Sequence, residues 1–355
     1  MEKVKGFLKK KDIVFSVKRY GIDALGAMAQ GLFCTLLIGT ILNTLGNQFG
    51  VGFLKAVVAT VNGTDYTVGG LASAMAGPAM AVAIGYALKA PQLVLFSLIT
   101  VGFAANALGG AGGPLAVYFI AVIATELGKV VSKETKIDIL VTPLVTIGSG
   151  VAVSALLAPT LGAIAMKVGD LIMLATNLQP FWMGIAVSVL VGVALTLPIS
   201  SAAICAAFGL TGLAGGAAVA GCCAQMVGFA VMSFRENKWG GLVSQGIGTS
   251  MLQVPNIVKK PLIWIPPIVS SAILGPVSSA ILRMTSTPTG SGMGSAGFVG
   301  QIMAWQSMTQ TMSVPVAAIE IILMHFVLPA LITLAVSEWM RKMKWIKDGD
   351  MLLRL

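Results

Sequence analysis

Charged residues are scarce in this 355-residue chain: Asp, Glu, Lys and Arg make up 10% of it, against about 25% in ordinary soluble domains. So few ionic groups cannot cover the surface of a water-soluble protein of this length, and that class is excluded. Histidine occurs once, and the four cysteines (Cys34, Cys205, Cys222 and Cys223) all lie inside apolar stretches. Their spacing matches neither a metal site nor a disulfide framework. They read as small packing residues, and no metal or cofactor is expected. With no Cys/His cluster and no nucleophile elbow, nothing in the sequence is arranged for covalent catalysis, and an enzyme is not expected.

Apolar residues, by contrast, make up 56% of the chain. They form blocks at about 22–43, 67–88, 91–108, 113–128, 139–158, 180–197, 198–215, 216–233, 261–283 and 314–337. A helix needs roughly 17–25 such residues to cross a bilayer, so the expected fold is an all-α polytopic membrane protein with about ten transmembrane helices. Residues 198–233 are short for two crossings and fit one crossing plus a re-entrant piece as well. The run from Ile22 is longer than the apolar core of a signal peptide, about 7–15 residues, and reads as a retained first span. Glycine, at 42 residues, lets helices approach closely where burial from water gives no drive to associate.

The net charge of +10 gathers at the two ends. Lys3, Lys5, Lys9, Lys10, Lys11, Lys18 and Arg19 precede the first span, and Arg341, Lys342, Lys344, Lys347 and Arg354 follow the last. This is the orientation signal of membrane proteins. It places both termini in the cytoplasm and argues for the lipid bilayer, not nucleic acid, as the partner. Val4, Phe7, Leu8, Ile13, Val14, Phe15 and Val17 alternate with the first lysines, as in a helix lying on the inner leaflet. The layout read from this pattern is an interfacial segment 1–21, a first membrane half 22–178, a second half 179–337 and a basic tail 338–355. Within it, residues 159–178 read as an interfacial helix linking the halves, and 284–313 as a loop leading into a re-entrant or interfacial helix. Val101-Gly102-Phe103-Ala104 recurs as Val227-Gly228-Phe229-Ala230, and Pro143-Leu144-Val145-Thr146 is echoed by Pro267-Ile268-Val269-Ser270. Such echoes fit a 5+5 inverted repeat as readily as chance in apolar sequence.

Chemistry is sought where polarity survives among apolar residues. Pro78, Pro266, Pro267, Pro276 and Pro329 are each expected to free a carbonyl, at Ala74, Leu262, Ile263, Ala272 and His325 respectively. Each is either a packing kink or the wall of a cavity. Glu320 and the single histidine, His325, lie in the last span, where an ionisable group is costly and usually functional. On a regular helix they point about 140° apart. Asn106, Gln225, Gln301 and Gln306 suit hydroxylated solutes and serve equally well as bonds between helices. The tract 285–297, with Thr289, Ser291 and its many glycines, follows Arg283; backbone amides there suit a polyol or an anion, and the alternative is a flexible loop. It lacks the order of a nucleotide-binding loop. Trp264 and Trp305 could stack on a sugar ring, whereas Trp182, Trp339 and Trp345 look like interface-belt residues. Glu126, Asp170 beside Lys167, and Asp23 read as structural.

The stretches Lys9-Lys10-Lys11-Asp12-Ile13-Val14, Tyr20-Gly21-Ile22-Asp23-Ala24-Leu25-Gly26-Ala27-Met28-Ala29 and Leu37-Ile38-Gly39-Thr40-Ile41-Leu42 resemble one branch of EIIC-like proteins. These are the stand-alone phosphotransferase-system IIC subunits (the type 2 branch), which include the perfringolysin regulator type. The resemblance implies a homodimeric sugar permease of a bacterial inner membrane, with re-entrant hairpins around a central site. It further implies a membrane-embedded Glu and His at the sugar, for which Glu320 and His325 are the candidates. No IIB or IIA domain is fused to the chain, so phosphorylation-coupled uptake would need separate partners. The leading expectation is a permease for a sugar or similar small hydroxylated solute; the alternatives are a membrane solute sensor and a small-anion carrier.

Overall fold

The computed structural model describes residues 2–353, leaving the side chains of residues 2–5 undescribed. Of the residues just discussed, the side chains of Lys3, Val4 and Lys5, and the whole of Arg354, lie outside the described residues. By their internal contacts the residues form two compact units, Met1–Gly39 with Val57–Ile164, and Thr40–Ala56 with Ala165–Leu355.

The first unit begins with α1 (Glu2–Lys10) and the first part of α2 (Arg19–Phe49). A short antiparallel hairpin, β1 (Ala59–Val61) with β2 (Thr64–Tyr66), follows. Thr67 then caps α3 (Val68–Ala74), its hydroxyl accepting the Gly70 amide at 3.0 Å. At Met75 the chain bends by 49° into α4 (Ala76–Ala87). Pro78 sits in the first turn of α4, where a missing amide costs little. Next come α5 (Gln92–Gly109) and α6 (Gly113–Val131), which pack against each other. Gly110, at φ 51, reverses the chain between them, so this apolar stretch is a helical hairpin, as a glycine turn between spans would make it.

The last helix of this unit differs from expectation. α7 (Asp138–Thr176) runs unbroken for 39 residues through Pro143 and Pro159, so no boundary separates a span from an interfacial linker at residue 159. At 1.5 Å per residue it rises about 58 Å, nearly twice the roughly 30 Å of a hydrocarbon core.

The second unit holds α8 (Pro180–Thr196), α9 (Ser201–Ala207), α10 (Gly212–Met232), α11 (Phe234–Val243), α12 (Pro261–Ile281), α13 (Val299–Met308) and α14 (Val314–Lys342). The two crossings counted over 198–233 become the short α9 and the single α10, the alternative reading of that region. α8, α12 and α14 all pack on α10, whose surface is mostly Gly, Ala and Cys. A Cβ at Gly192 would stand 2.8 Å from the Gly221 carbonyl oxygen, and one at Gly184 2.7 Å from that of Gly275. Only glycine permits backbones this close. Ser188 crosses the same seam, donating to the Ser271 carbonyl at 2.8 Å.

The prolines divide into two kinds. Pro266 and Pro267 stand in the first turn of the α-helical part Ile265–Pro276, so they do not break a span, and the Leu262 carbonyl accepts the Ile265 amide. Pro276 and Pro329 do disturb their helices: π turns follow the first at Val277–Ile281 and precede the second at Leu323–Val327. Pro143 lies inside a helix and Pro267 at the start of one, so this pair of sequence echoes occupies different local settings.

Among the described residues, six helical stretches are long and apolar enough to cross a membrane: α2, the stretch α5–α6 taken together, α7, α10, α12 and α14. The count is seven if the bent α3–α4 pair is one span, and α8 is apolar but shorter. Beyond α14 the chain folds back. Ile346 and Met351 are buried with Phe229, Met232, Ile257, Ile263 and Met340. Three carboxamides grip the returning backbone: Asn237 and Gln253 donate to the Met351 carbonyl at 2.9 and 3.0 Å, and Asn256 to that of Leu352 at 3.0 Å.

Candidate functional site

The last part of α2 carries Thr40, Asn43, Thr44, Asn47 and Gln48, a polar stripe at the i, i+3, i+4, i+7, i+8 spacing of one helix face. Within the second unit that face borders α13. Thr40, Asn43, Thr44, Asn47 and Gln48 line a cavity of about 260 Å³ together with Thr289, Val299, Ile302 and Met303. A neighbouring cavity of about 350 Å³ is lined by Gln48, Gln301, Ile302, Trp305 and Gln306 of the first two helices and by Ala318, Ile321 and Ile322 of α14. Gln48 and Ile302 belong to both. These volumes stand at the small end of ligand pockets, about 300–1,000 Å³. Among the described residues, no charged side chain lines either cavity.

α13 is ten residues long, about 15 Å, so it spans roughly half a hydrocarbon core. Its start is unusual: Gly297 and Phe298 both take positive φ, 52° and 60°, folding the chain sharply before Val299. That turn sets Gln301 inward. Its amide nitrogen donates to the Cys223 thiol at 3.2 Å and lies 3.4 Å from His325 Nδ1. With the amide donating, Nδ1 accepts and the ring proton sits on Nε2. His325 is fully buried. Both its Nε2 and the Gln301 Oε1 are buried without a hydrogen-bond partner. One orphan acceptor therefore belongs to a residue that lines the second cavity, Gln301, and one orphan donor to its neighbour His325, which lines neither cavity. Buried polar groups left unpaired this way are rare and need a reason.

The residues singled out from sequence are not all brought together. Gln301 and His325 meet, and Thr289, Trp305 and Gln306 join the two cavities. Glu320 lies on the α14 turn whose Ala318, Ile321 and Ile322 line the second cavity, but it is one position from Ile321, about 100° around the helix, and lines neither. It is partly exposed, and its Oε2 is buried with no hydrogen-bond partner. The 140° expected between Glu320 and His325 assumed a regular helix, which the π turn at Leu323–Val327 replaces.

Gln225 is an interhelical bond: it accepts from Trp264 Nε1 at 2.8 Å and the Thr196 hydroxyl at 3.3 Å, and donates to Ser271 at 3.3 Å. Ser291 is spent on the Leu210 and Thr287 carbonyls at 2.8 and 2.7 Å. Arg283 is exposed and lines neither cavity. Asn106 belongs to the first unit, where it packs on Gly77 and Gly113.

A family model described as phosphotransferase system, EIIC, matches residues 22–353. The chain belongs to the phosphotransferase system EIIC family. No curated protein and no solved structure matches it. EIIC chains are the membrane-embedded components of sugar-transport systems, so this EIIC chain is a multi-pass membrane protein of that kind. Sequence reasoning missed Thr40, Asn43, Thr44, Asn47 and Gln48, although their signal was present: five polar residues recurring at helical spacing inside an apolar span.

Proposed function

We propose that this EIIC chain is a permease for a sugar or a similarly small, neutral, hydroxylated solute, working by alternating access. The observation that carries the reading is the pair of charge-free cavities sharing Gln48 and Ile302. A hydroxyl group both donates and accepts, and a carboxamide answers it with two donors and one acceptor. Asn43, Asn47, Gln48, Gln301 and Gln306 bring five such groups to one place, and Trp305 offers a flat apolar face for a sugar ring. Among these, Gln301 carries an orphaned Oε1 that a solute hydroxyl would complete, and His325 acts behind it through its contact with the Gln301 amide. The neutral lining favours this cargo over a small anion held by Arg283. Glu320 is kept as a candidate for proton exchange during transport.

On the same reading the chain crosses a bacterial inner membrane many times, with both termini in the cytoplasm and its halves divided near residue 178. It functions as a homodimer, and separate IIA and IIB proteins supply any phosphorylation. The test is a thermal-shift screen of sugars and polyols on the purified protein, followed by liposome flux with the hit. Losing one neutral hydrogen bond costs about 1 kcal/mol, so Gln48→Ala should weaken binding about fivefold while Arg283→Ala leaves it unchanged. Binding without flux would identify a sensor. Equal affinity in wild type and Gln48→Ala would remove the cavity pair from consideration, and undiminished flux in Glu320→Gln would remove Glu320.

A further inference from the structure

Apart from the cavities just described, the first unit contains a pocket of about 280 Å³ whose lining includes five lysines (Lys10, Lys11, Lys89, Lys129 and Lys133) against two carboxylates, Asp12 and Glu134. Three helices end at it: α1, α4 and α6. A lysine near a helix C-terminus normally offsets the carbonyl dipole, and that ordinary role has to be set aside first.

The free carbonyls here are already answered. At the end of α1 the Ile13 amide reaches back to Leu8 O at 2.9 Å, and at the end of α4 the Ala90 amide reaches Gly85 O at 2.8 Å. At the end of α6 the Ser132 amide bonds Gly128 O at 3.0 Å. The exposed carbonyls beyond these turns are taken by inner cations: Leu88 O by Arg19 at 2.5 Å, Asp12 O by Lys129 at 3.3 Å, and Ser132 O by Lys11.

The pocket is thereby sorted into a floor and a rim. On the floor, Lys129 is 1% exposed and paired with Glu126 at 3.3 Å, and Lys11 is paired with Glu134 at 2.5 Å. Lys10, Lys89 and Lys133 form the rim: all three are exposed, and among the described residues none of their ammonium groups makes a hydrogen bond or ion pair, although the Lys133 backbone amide donates to Asp138 Oδ1 at 2.7 Å. Two of the three, Lys89 and Lys133, hold φ values of 58° and 61°, as does Asp12 at 53°. Glycine would adopt that backbone without strain. Lysine at these two points keeps positive charge where glycine would fit without strain, as Lys238, Arg283 and Lys344 do elsewhere in the chain.

We propose that this pocket binds a phosphate-bearing anion, with Lys10, Lys89 and Lys133 as its ligands above a floor whose own charges are matched in the Lys11–Glu134 and Lys129–Glu126 pairs. The same chemistry is offered by an anionic phospholipid headgroup and by free phosphate. The site is independent of the charge-free cavities of the second unit, so it stands or falls separately from the solute reading. The experiment uses the full-length protein in phosphatidylcholine nanodiscs, with phosphatidylglycerol titrated in one arm and inorganic phosphate in the other. Bound lipid is counted by native mass spectrometry and phosphate by calorimetry.

In at least one arm the Lys89→Gln/Lys133→Gln pair should weaken binding about tenfold, the Lys89→Arg/Lys133→Arg pair should retain it, and Lys344→Gln/Lys347→Gln should match wild type. The arm that responds names the source. Binding of neither probe, or equal binding by wild type and the Gln pair, would overturn the proposal. Loss in the Arg pair to the same degree would also overturn it, because charge would then not be what the site uses.

Discussion

At Gln301 the amide nitrogen is committed to Cys223 and His325, while the amide oxygen is free to answer a solute. Replacing it by leucine removes that acceptor together with a buried unsatisfied atom. Gln301→Leu should therefore weaken solute binding about fivefold, and because it leaves the buried His325 Nδ1 without its donor it should also lower the unfolding temperature, by a cost of about 1–3 kcal/mol, read by thermal shift with and without the hit. A second residue-scale prediction concerns pH. The Arg19 guanidinium, 2.7 Å from Asp12, holds that carboxyl below its usual value of 3.8. A carboxyl lowered in the folded state stabilises the protein above its unfolded pKa, about 3.9, and that contribution disappears as pH falls through the native value. Unfolding temperature should fall between about pH 5 and pH 3, and the fall should be shallower in Asp12→Asn. Sequence alone marked Gln225 and Gln301 as equals. What separates them is which atoms remain unpaired after folding, and that depends on Trp264, Thr196 and Ser271 arriving from elsewhere in the chain. Asn43, Asn47 and Gln48 were legible by spacing, but an apolar block was read for its length and its charges, and a neutral stripe changes neither.

Helical character followed from composition, but where helices stop did not. Sequence ends a span at residue 158 and reads 159–178, which carries Lys167 and Asp170, as an interfacial helix, yet α7 continues through Pro159; a helix in lipid keeps its remaining backbone bonds because no water competes for them. The reverse holds at Pro329, where the helix widens so that the Leu328 amide reaches Leu323 O. π turns of this kind are frequent at functional sites, and this one contains His325. Pro329→Ala restores an amide that can bond the His325 carbonyl, which should favour a regular α-turn and rotate His325 away from Gln301. The expected result is weaker solute binding with unchanged or raised thermal stability; unaltered binding would mean that the widened turn plays no part in the site. Close helix crossings give a prediction of opposite character. In Gly184→Ala the new Cβ would meet the Gly275 carbonyl oxygen at 2.7 Å. Backbone cannot yield cheaply, so a loss of about 1–3 kcal/mol is expected, measured as a lowered denaturant midpoint.

Over the whole chain, the segment after α14 belongs to the stretch that sequence reads as a basic tail, and the structure packs its Met351 among Phe229, Ile257 and Met340. Tail composition pointed to solvent because charge dominates it, while the anchoring comes from two apolar side chains and from carboxamides more than a hundred residues earlier for Asn237 and nearly so for Gln253. Met351→Ala should cost about 2 kcal/mol or more, seen as a lower unfolding temperature, and truncation before Ile346 should cost more. Among the four thiols only Cys34 is exposed, and Cys223 is covered by the Gln301 amide. If the proposed carrier rearranges α13 to pass its cargo, that sulfur is uncovered each time: in a Cys34→Ser background, a membrane-permeant alkylating reagent should then react slowly at rest and faster with solute present.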